Sequence, residues 1–445
     1  MRIWLDVDDL FYFASRNARP TGIQRLTGEL YRALVELEGL DRIRFVIHSH
    51  APSGFQQVTW ERVLATYTFM TEGSGSGSIS APASTPSAPP SGLMQMFNRL
   101  LKMRLRDRTS DATSKVIPAG VPRDTGDDLI DATTASDILC SFGAPWHDAR
   151  YAQRVQSFVS ATGARFLLLV HDLIPLVRPE FFPRGRAPDF EHVLRGSLPL
   201  ADIILTNSAA TARDVVEWCR DALIPLRCQP QRVPIGTGFA RPPAAPLPDG
   251  LERGKFVLFV STIEIRKNHT QAFRVWLRML REMPCEKVPT LVFAGSTGWM
   301  TADLMEAVAS TKYLDGKLRI IQGADDGVLA ALYQECLFTL FPSFYEGWGL
   351  PVSDSISFRK VCVASNRSSI PEAGGDYCVY IDPDNTTAAY HTIRRLVEFP
   401  DEIERLELSL RNAHAIPSWK DTAQAVMDSI NSLPCARLPG PILTG

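Results

Sequence analysis

Phe341-Pro-Ser-Phe-Tyr-Glu-Gly-Trp-Gly-Leu-Pro-Val-Ser-Asp354 compresses a strand end, a glycine-bearing loop, a helix start and two spaced carboxylates into one segment. The run Leu337-Phe-Thr-Leu-Phe341 is short and wholly apolar, as strands buried in parallel sheets are. Pro351 suits the first position of a following helix, where a missing amide proton costs nothing. The loop between them therefore points at a helix N-terminus. There the free amides of Gly349 and Leu350, beside Gly347 and with the helix dipole behind them, suit a diphosphate. Glu346 and Asp354 suit sugar hydroxyls, so the segment can hold a nucleotide sugar. The plainer reading of the same residues is an ordinary β-to-α turn.

Short apolar runs of the same kind recur along the chain between helical patterns. They are Ile3 to Val7, Phe45 to Ile47, Phe166 to Val170, Ile203 to Thr206, Phe256 to Val260, Leu291 to Ala294, Leu318 to Ile321, Phe338 to Phe341 and Val361 to Ala364. Strands alternating with helices mean βαβ units on parallel sheets, an α/β fold. The runs divide around Arg241-Pro-Pro-Ala-Ala-Pro-Leu-Pro-Asp-Gly250, a proline-rich stretch that reads as a stiff linker. The expected organisation is two Rossmann-like domains, 1–240 and 241–445, with parallel sheets facing across a cleft; 445 residues are too many for one core. Ligands favour such clefts.

Composition narrows the class. The formal net charge is −2, with 47 Lys plus Arg against 49 Asp plus Glu, which excludes bulk nucleic-acid binding and makes any anion site local. Eight cysteines without a Cys-x-x-Cys pair indicate neither a zinc site nor a disulfide framework, and a reducing cytoplasm fits. The opening Met-Arg-Ile-Trp-Leu-Asp-Val-Asp reads as a strand interrupted by acids rather than as a signal sequence. No apolar run approaches the roughly 20 residues of a membrane span.

Gly73 to Gly92 is a Gly/Ser and then Pro/Ser/Ala tract that cannot bury apolar area, and it reads as a disordered insertion in the first domain. In residues 93–108, Leu93, Met94, Met96, Phe97, Leu100, Leu101 and Leu105 interleave with Arg99, Lys102, Arg104, Arg106 and Arg108. Such a basic amphipathic helix suits peripheral contact with an anionic membrane, and equally suits packing on its own domain or on a partner.

The second half opens with Phe256-Val-Leu-Phe-Val-Ser-Thr-Ile-Glu-Ile-Arg-Lys-Asn-His-Thr270. A strand delivers Ser261 and Thr262 to the carboxyl edge of the sheet, and Arg266 and Lys267 follow just before a helix that Asn268 could cap. Two cations at that edge can neutralise the charge growing on a departing nucleoside diphosphate without a metal. An Arg-Lys pair at a helix entrance is also common as plain surface charge.

Together with the Glu346 loop, these residues resemble the retaining glycosyltransferases of family four, which have the GT-B fold. The resemblance covers most of residues 1–30 and 160–435. Ser261 to Asn268 is similar to the Arg/Lys phosphate motif of that family, Phe341 to Pro351 to its glutamate loop, and Ser369-Ile-Pro-Glu-Ala-Gly-Gly-Asp376 to the segment that follows. The resemblance implies that Glu346 touches the donor sugar and that Asp354, eight positions on, binds the nucleotide ribose. The family usually has glutamate there, so one methylene is lost, which implies a longer or a water-mediated ribose contact. Gly323, in Gln322-Gly-Ala-Asp-Asp-Gly327, falls where the family's nucleotide base rests on backbone atoms, which leaves the base unread.

The first half adds two pieces. Thr21-Gly-Ile-Gln-Arg25 opens a helix with Ile23, Leu26, Leu30, Leu34 and Leu37 on one stripe and a Thr21/Gln24 capping box. The resemblance assigns Gly22 a close approach to the donor; a plain capping glycine is the simpler reading. His171-Asp-Leu-Ile-Pro175 follows an apolar run, and its likeness to bacterial mannosyltransferases places His171 near the transferred sugar. Asn207 to Asp214 is a further strand-to-helix joint with Ser208 as the cap.

The resemblance thus implies a metal-independent, retaining hexosyltransferase of bacterial surface glycan assembly that needs no cofactor. Its donor would be GDP-mannose first and a UDP-hexose second; its acceptor would be a glycan or lipid-linked glycan. A noncatalytic nucleotide-sugar-binding or scaffold protein on the same fold is the alternative. A nicotinamide oxidoreductase would carry Gly-x-Gly-x-x-Gly after its first strand, where this chain has Asp8-Asp-Leu-Phe.

Overall fold

The computed structural model describes residues 1–17, 19–72, 129–185, 187–238, 245–411 and 416–433. The expected insertion at 73–92, the basic stretch 93–108 and residues 241–244 of the linker lie outside the described residues. Strands β1 (Ile3–Asp6), β2 (Ile43–His48), β3 (Phe55–Val58), β4 (Ile138–Ser141), β5 (Arg165–Val170), β6 (Ile203–Thr206) and β7 (Gln231–Arg232) form one sheet in the order β3-β2-β1-β4-β5-β6-β7. All its pairings are parallel except β2 with β3. Strands β8 (Phe256–Val260), β9 (Thr290–Ala294), β10 (Leu318–Ile321), β11 (Thr339–Phe341), β12 (Cys362–Ser365) and β13 (Cys378–Ile381) form an all-parallel sheet in the order β10-β9-β8-β11-β12-β13.

Strand order reverses between β1 and β4 in the first sheet and between β8 and β11 in the second. At such a point the loops leaving the two strands run in opposite directions and open a crevice at the carboxyl edge. The inner strands β5, β8 and β9 are buried on both faces, and for that reason they read as near-continuous apolar runs. Val257 and Phe259 of β8 enter the core beneath helices His269–Glu282 and Thr386–Glu398, while Phe256 and Leu258 face helix Asp326–Glu335 on the other side. In the first sheet Leu167 and Leu169 of β5 face helix Gly22–Arg42, and Phe166 and Leu168 face helices Tyr151–Thr162 and Ala187–Ser197.

Strands β3, β4, β7 and β13 were not anticipated from the apolar runs. Strand β3 reads Phe-Gln-Gln-Val, and β7 is two exposed polar residues, so neither carries an apolar run. Helix Leu350–Ser357 starts one residue before Pro351, which therefore takes its second position.

The last described helix, Trp419–Asn431, buries Ala423, Val426, Met427 and Ile430 in the core of the first sheet, alongside Leu26, Leu30 and Leu34 of helix Gly22–Arg42. The chain thus passes from the first half to the second near residue 238 and returns before residue 418. The passages are tied together: Thr237 N donates to Pro417 O at 3.0 Å, Gly236 N to Thr422 Oγ1 at 2.8 Å and Trp419 Nε1 to Gly238 O at 2.8 Å. A side chain at Gly236 would meet the Trp419 backbone nitrogen at 2.6 Å, so only glycine allows the approach.

Candidate functional site

The loops leaving β8 and β11 meet at the switch point of the second sheet. Phe344 N donates to Arg266 O at 2.9 Å, which joins the two loops backbone to backbone, and Ser343 Oγ lies 3.1 Å from the same carbonyl. This brings Glu346 against both cations of the basic pair. Lys267 Nζ lies 2.6 Å from Glu346 Oε1, Arg266 Nη1 lies 2.7 Å from Oε2, and Ser343 Oγ donates to Oε1 at 2.6 Å. The other arm of Arg266 reaches Glu264 at 2.7 Å.

Burial opposes ionisation of Glu346, but the Arg266 and Lys267 charges, with hydrogen bonds from Lys267 and Ser343, outweigh it and bring its pKa to about 2. Burial and the neighbouring Arg266 push Lys267 down, while Glu346, Glu264 and Asp172 hold Arg266 up against burial. Two cations and two carboxylates are therefore fixed and largely buried at this edge, an arrangement able to meet developing anionic charge without reorganisation.

The glutamate loop is held from behind by the segment beginning at Ser368. Glu346 N donates to Ser368 Oγ at 2.8 Å, and Ser369 Oγ lies between the carbonyls of Glu346 and Trp348, 2.8 and 2.9 Å away, with one proton to share between them. Trp348 then inserts into the core of the first sheet. Gly349, at φ 115°, starts helix Leu350–Ser357, and Leu350 lies 3.7 Å from where a Cβ on Gly22 would sit, so these two predicted residues face each other across the halves. Asp354 is buried on that helix and accepts from Gly238 N at 3.3 Å. Burial raises its pKa to about 6 despite the positive charge of Arg25.

Ser261 and Thr262 follow β8 as expected, with Ser261 Oγ 3.3 Å from His269 Nε2 and the Thr262 methyl against Gly298. Gly323 is exposed in its turn at φ 69°. Asn268 does not cap the next helix: its own backbone is left-handed, at φ 61°, and its side chain donates instead to the carbonyls of Pro342 and Pro383. It pins the basic pair to the glutamate loop. Thr21 and Gln24 pair through their side chains, but Thr21 makes no cap bond to the backbone, so the expected capping box is incomplete. Ser208 does cap its helix, accepting from Thr211 N at 3.0 Å.

His171 is buried at the end of β5. Its Nε2–H donates to Phe142 O at 2.7 Å, which leaves Nδ1 as the acceptor, and burial lowers its pKa to about 4. Its carbonyl lies against Gly347 so closely that a Cβ there would overlap the oxygen. The hydroxyl of Thr211 contacts the carbonyls of both residues at 3.3 Å. Glu346, Arg266, Lys267, Gly347 and the His171 backbone are thus brought together, whereas Asp354 is joined to Gly238 N and Gly323 stands exposed in its own turn.

Three further contacts join the halves and were not anticipated. Arg25 forms a two-armed pair with Asp326 at 2.7 and 3.0 Å, Glu372 accepts the amides of Ala209 and Ala210 at 2.7 and 2.9 Å, and Tyr345 OH reaches both oxygens of Asp214 at 2.9 Å. Arg25 and Asp326 stand inside quoted motifs, but nothing local in either motif indicates the other. Glu372 uses a helix N-terminus as an anion site, with a protein carboxylate as the anion.

Residues 249–412 match the family Glycosyl transferases group 1. The chain is 29% identical over 236 residues to O-antigen chain mannosyltransferase B of Escherichia coli, covering 50% of this chain and 59% of that one. It is 26% identical over 288 residues to a serotype-specific mannosyltransferase, WbdA, of Escherichia coli, covering 61% of this chain and 34% of that one. It therefore spans less than two thirds of the length of either relative. Among solved structures, Alr3699/HepE of Anabaena in complex with UDP and glucose superposes with a TM-score of 0.59 at 12% identity, over 97% of this chain and 100% of that one. A UDP-forming trehalose-phosphate synthase of Burkholderia xenovorans gives a TM-score of 0.52 at 13% identity, over 68% and 75% of the two chains. The fold is GT-B.

Proposed function

We propose that this chain, which carries a glycosyl transferases group 1 domain, transfers a hexose from a nucleoside diphosphate sugar to a glycan or lipid-linked glycan in bacterial surface polysaccharide assembly. Mannose from GDP-mannose is the first donor and a UDP-hexose the second; the relatives named as mannosyltransferases support that order. The observation that carries the reading is the meeting of Arg266, Lys267 and Glu346 at the switch point of the second sheet. The donor binds chiefly on residues 245–420 and the acceptor on 1–240, with helix Trp419–Asn431 completing the acceptor half.

In this mechanism the diphosphate docks at the basic pair and the amides of Gly349 and Leu350. Glu346 orients the sugar, and His171 holds a sugar hydroxyl through Nδ1. The acceptor oxygen attacks the anomeric carbon on the face the diphosphate leaves, with retention, and the acceptor's proton departs with the diphosphate. Arg266 and Lys267 carry the leaving-group charge, so the step needs no metal. Meeting of the halves at Gly347 and His171 excludes water that would hydrolyse the donor. The reaction takes place on the cytoplasmic side, where nucleotide sugars are made. No helix among the described residues is long and apolar enough to cross a membrane.

A thermal-shift screen of GDP, UDP, ADP and dTDP with their sugars tests the reading, because stabilisation follows affinity. A guanosine or uridine nucleotide should raise Tm, and Lys267→Ala should lower transfer more than threefold at subsaturating donor. No shift with any nucleotide, or an unchanged rate in that variant, would overturn it.

A further inference from the structure

The switch point of the first sheet holds a second cluster of reactive side chains, which the transfer step does not use. Asp8 follows β1, His48 ends β2 and His147 lies in the short turn Pro145–His147 after β4, so the group sits in the crevice where open α/β sheets take ligands. One donor atom from each of the three lies within 4.8 Å of the others. Asp8 Oδ2 is 2.9 Å from His147 Nε2 and 3.5 Å from His48 Nδ1. Donors about 2.0–2.1 Å from a shared zinc-class ion stand roughly 3.3 Å apart, so a small closure of the side chains is enough to bring all three onto one ion.

The outward atom of each ligand is already fixed. His48 Nε2–H is directed at Asp6 Oδ2 at 3.1 Å, and His147 Nδ1–H at Ala144 O at 3.0 Å. Asp8 Oδ1 accepts the backbone amide of His48 at 3.0 Å, which turns Oδ2 toward the two rings. A metal-bound histidine characteristically donates its other ring N–H to a carboxylate or a backbone carbonyl, and both forms occur here. Asp148 Oδ2, held by Arg154 at 2.6 Å, lies 3.2 Å from His48 Nδ1 and can supply a fourth donor.

We propose that Asp8, His48 and His147 bind a divalent transition-metal ion of the zinc class in the first half of the chain. The imidazole-and-carboxylate set selects such an ion over calcium or magnesium, which take oxygen donors. Three protein donors leave a position for water or for an oxygen of a ligand. The site shares no residue with the basic pair and Glu346, so it stands or falls separately from the transfer reading.

The test uses the full chain without a polyhistidine tag and with the exposed Cys285 changed to Ser, stripped with EDTA and dialysed against micromolar Zn2+. About one equivalent of zinc should be retained, and Co2+ should give visible d–d bands. Asp8→Asn and His147→Gln, both at partly exposed positions, should each weaken binding at least tenfold and remove the bands; Asp6→Asn should weaken it about tenfold through His48. Failure of the parent protein to retain zinc, or unchanged binding in Asp8→Asn and His147→Gln variants that keep their circular dichroism, would overturn the proposal.

Discussion

Gly347 of the glutamate loop and His171 of the first sheet meet backbone to backbone, with no room between them for a side chain. The carbonyl of His171 and the Cβ of Asp172 both crowd the position a Cβ on Gly347 would take, and neither is the far end of a flexible chain. Gly347→Ala must therefore separate the halves at the point where the reaction needs water excluded. Transfer should fall at least tenfold while circular dichroism stays unchanged; a variant with wild-type transfer would show that the halves need not meet here.

Glu346→Gln removes the shared anion of two buried cations. Breaking a buried pair from one side costs about 3–5 kcal/mol, so the variant should melt well below wild type as well as lose transfer. The pKa of Glu346 falls from 4.5 to about 2, so the stability it contributes is present above pH 4.5 and is lost as pH drops toward 2. The gap in melting temperature between Glu346→Gln and wild type should thus narrow across that window. Adding Lys267→Ala should cost less than the sum of the two single changes, because they share one interaction.

Asp354 has the opposite sign. Its pKa rises from 3.8 to about 6, so the folded protein loses stability as pH climbs through that range, by up to roughly 3 kcal/mol at 1.36 kcal/mol per unit. Arg25, Asp326 and the amide of Gly238 are the groups that act on it. Asp354→Asn should match wild type in melting near pH 4 and exceed it above pH 6. If the carboxylate binds ribose, nucleotide affinity of the wild type should strengthen between pH 5 and 7 and that of the variant should not; calorimetric titration at both values decides.

Arg25 and Asp326 clamp the halves together from opposite sides of the gap, each about seven-eighths buried. Arg25→Ala and Asp326→Ala should each reduce kcat/KM, and the double variant should be little worse than either, with a coupling of about 1–3 kcal/mol. Additive effects would assign the two residues separate roles.

The strands that carry the candidate site were legible because a doubly covered parallel sheet demands near-continuous apolar runs, which Phe166 to Val170 of β5 and Phe256 to Val260 of β8 supply. The loops were legible where chemistry and position coincide, as at Arg266, Lys267 and Glu346. What local pattern could not supply was partnership over distance. Nothing in Thr21 to Arg25 announces Asp326, and a glutamate at 372 looks like surface until two amides of another helix are found against it. Trp348 reads as a loop aromatic, yet it belongs to the core of the opposite half. Asn268 was misread because a capping residue and a left-handed anchor share the same preference for asparagine.

The return of the chain to pack helix Trp419–Asn431 on the first sheet gives the molecule two side-by-side straps where a simple linker would give one. A single strap lets two lobes swivel about its length; a laced pair resists twisting and leaves bending about the line through both as the soft motion. Opening to admit a sugar nucleotide would then resemble the parting of a book at its spine, with the Gly347–His171 contact on the closing pages.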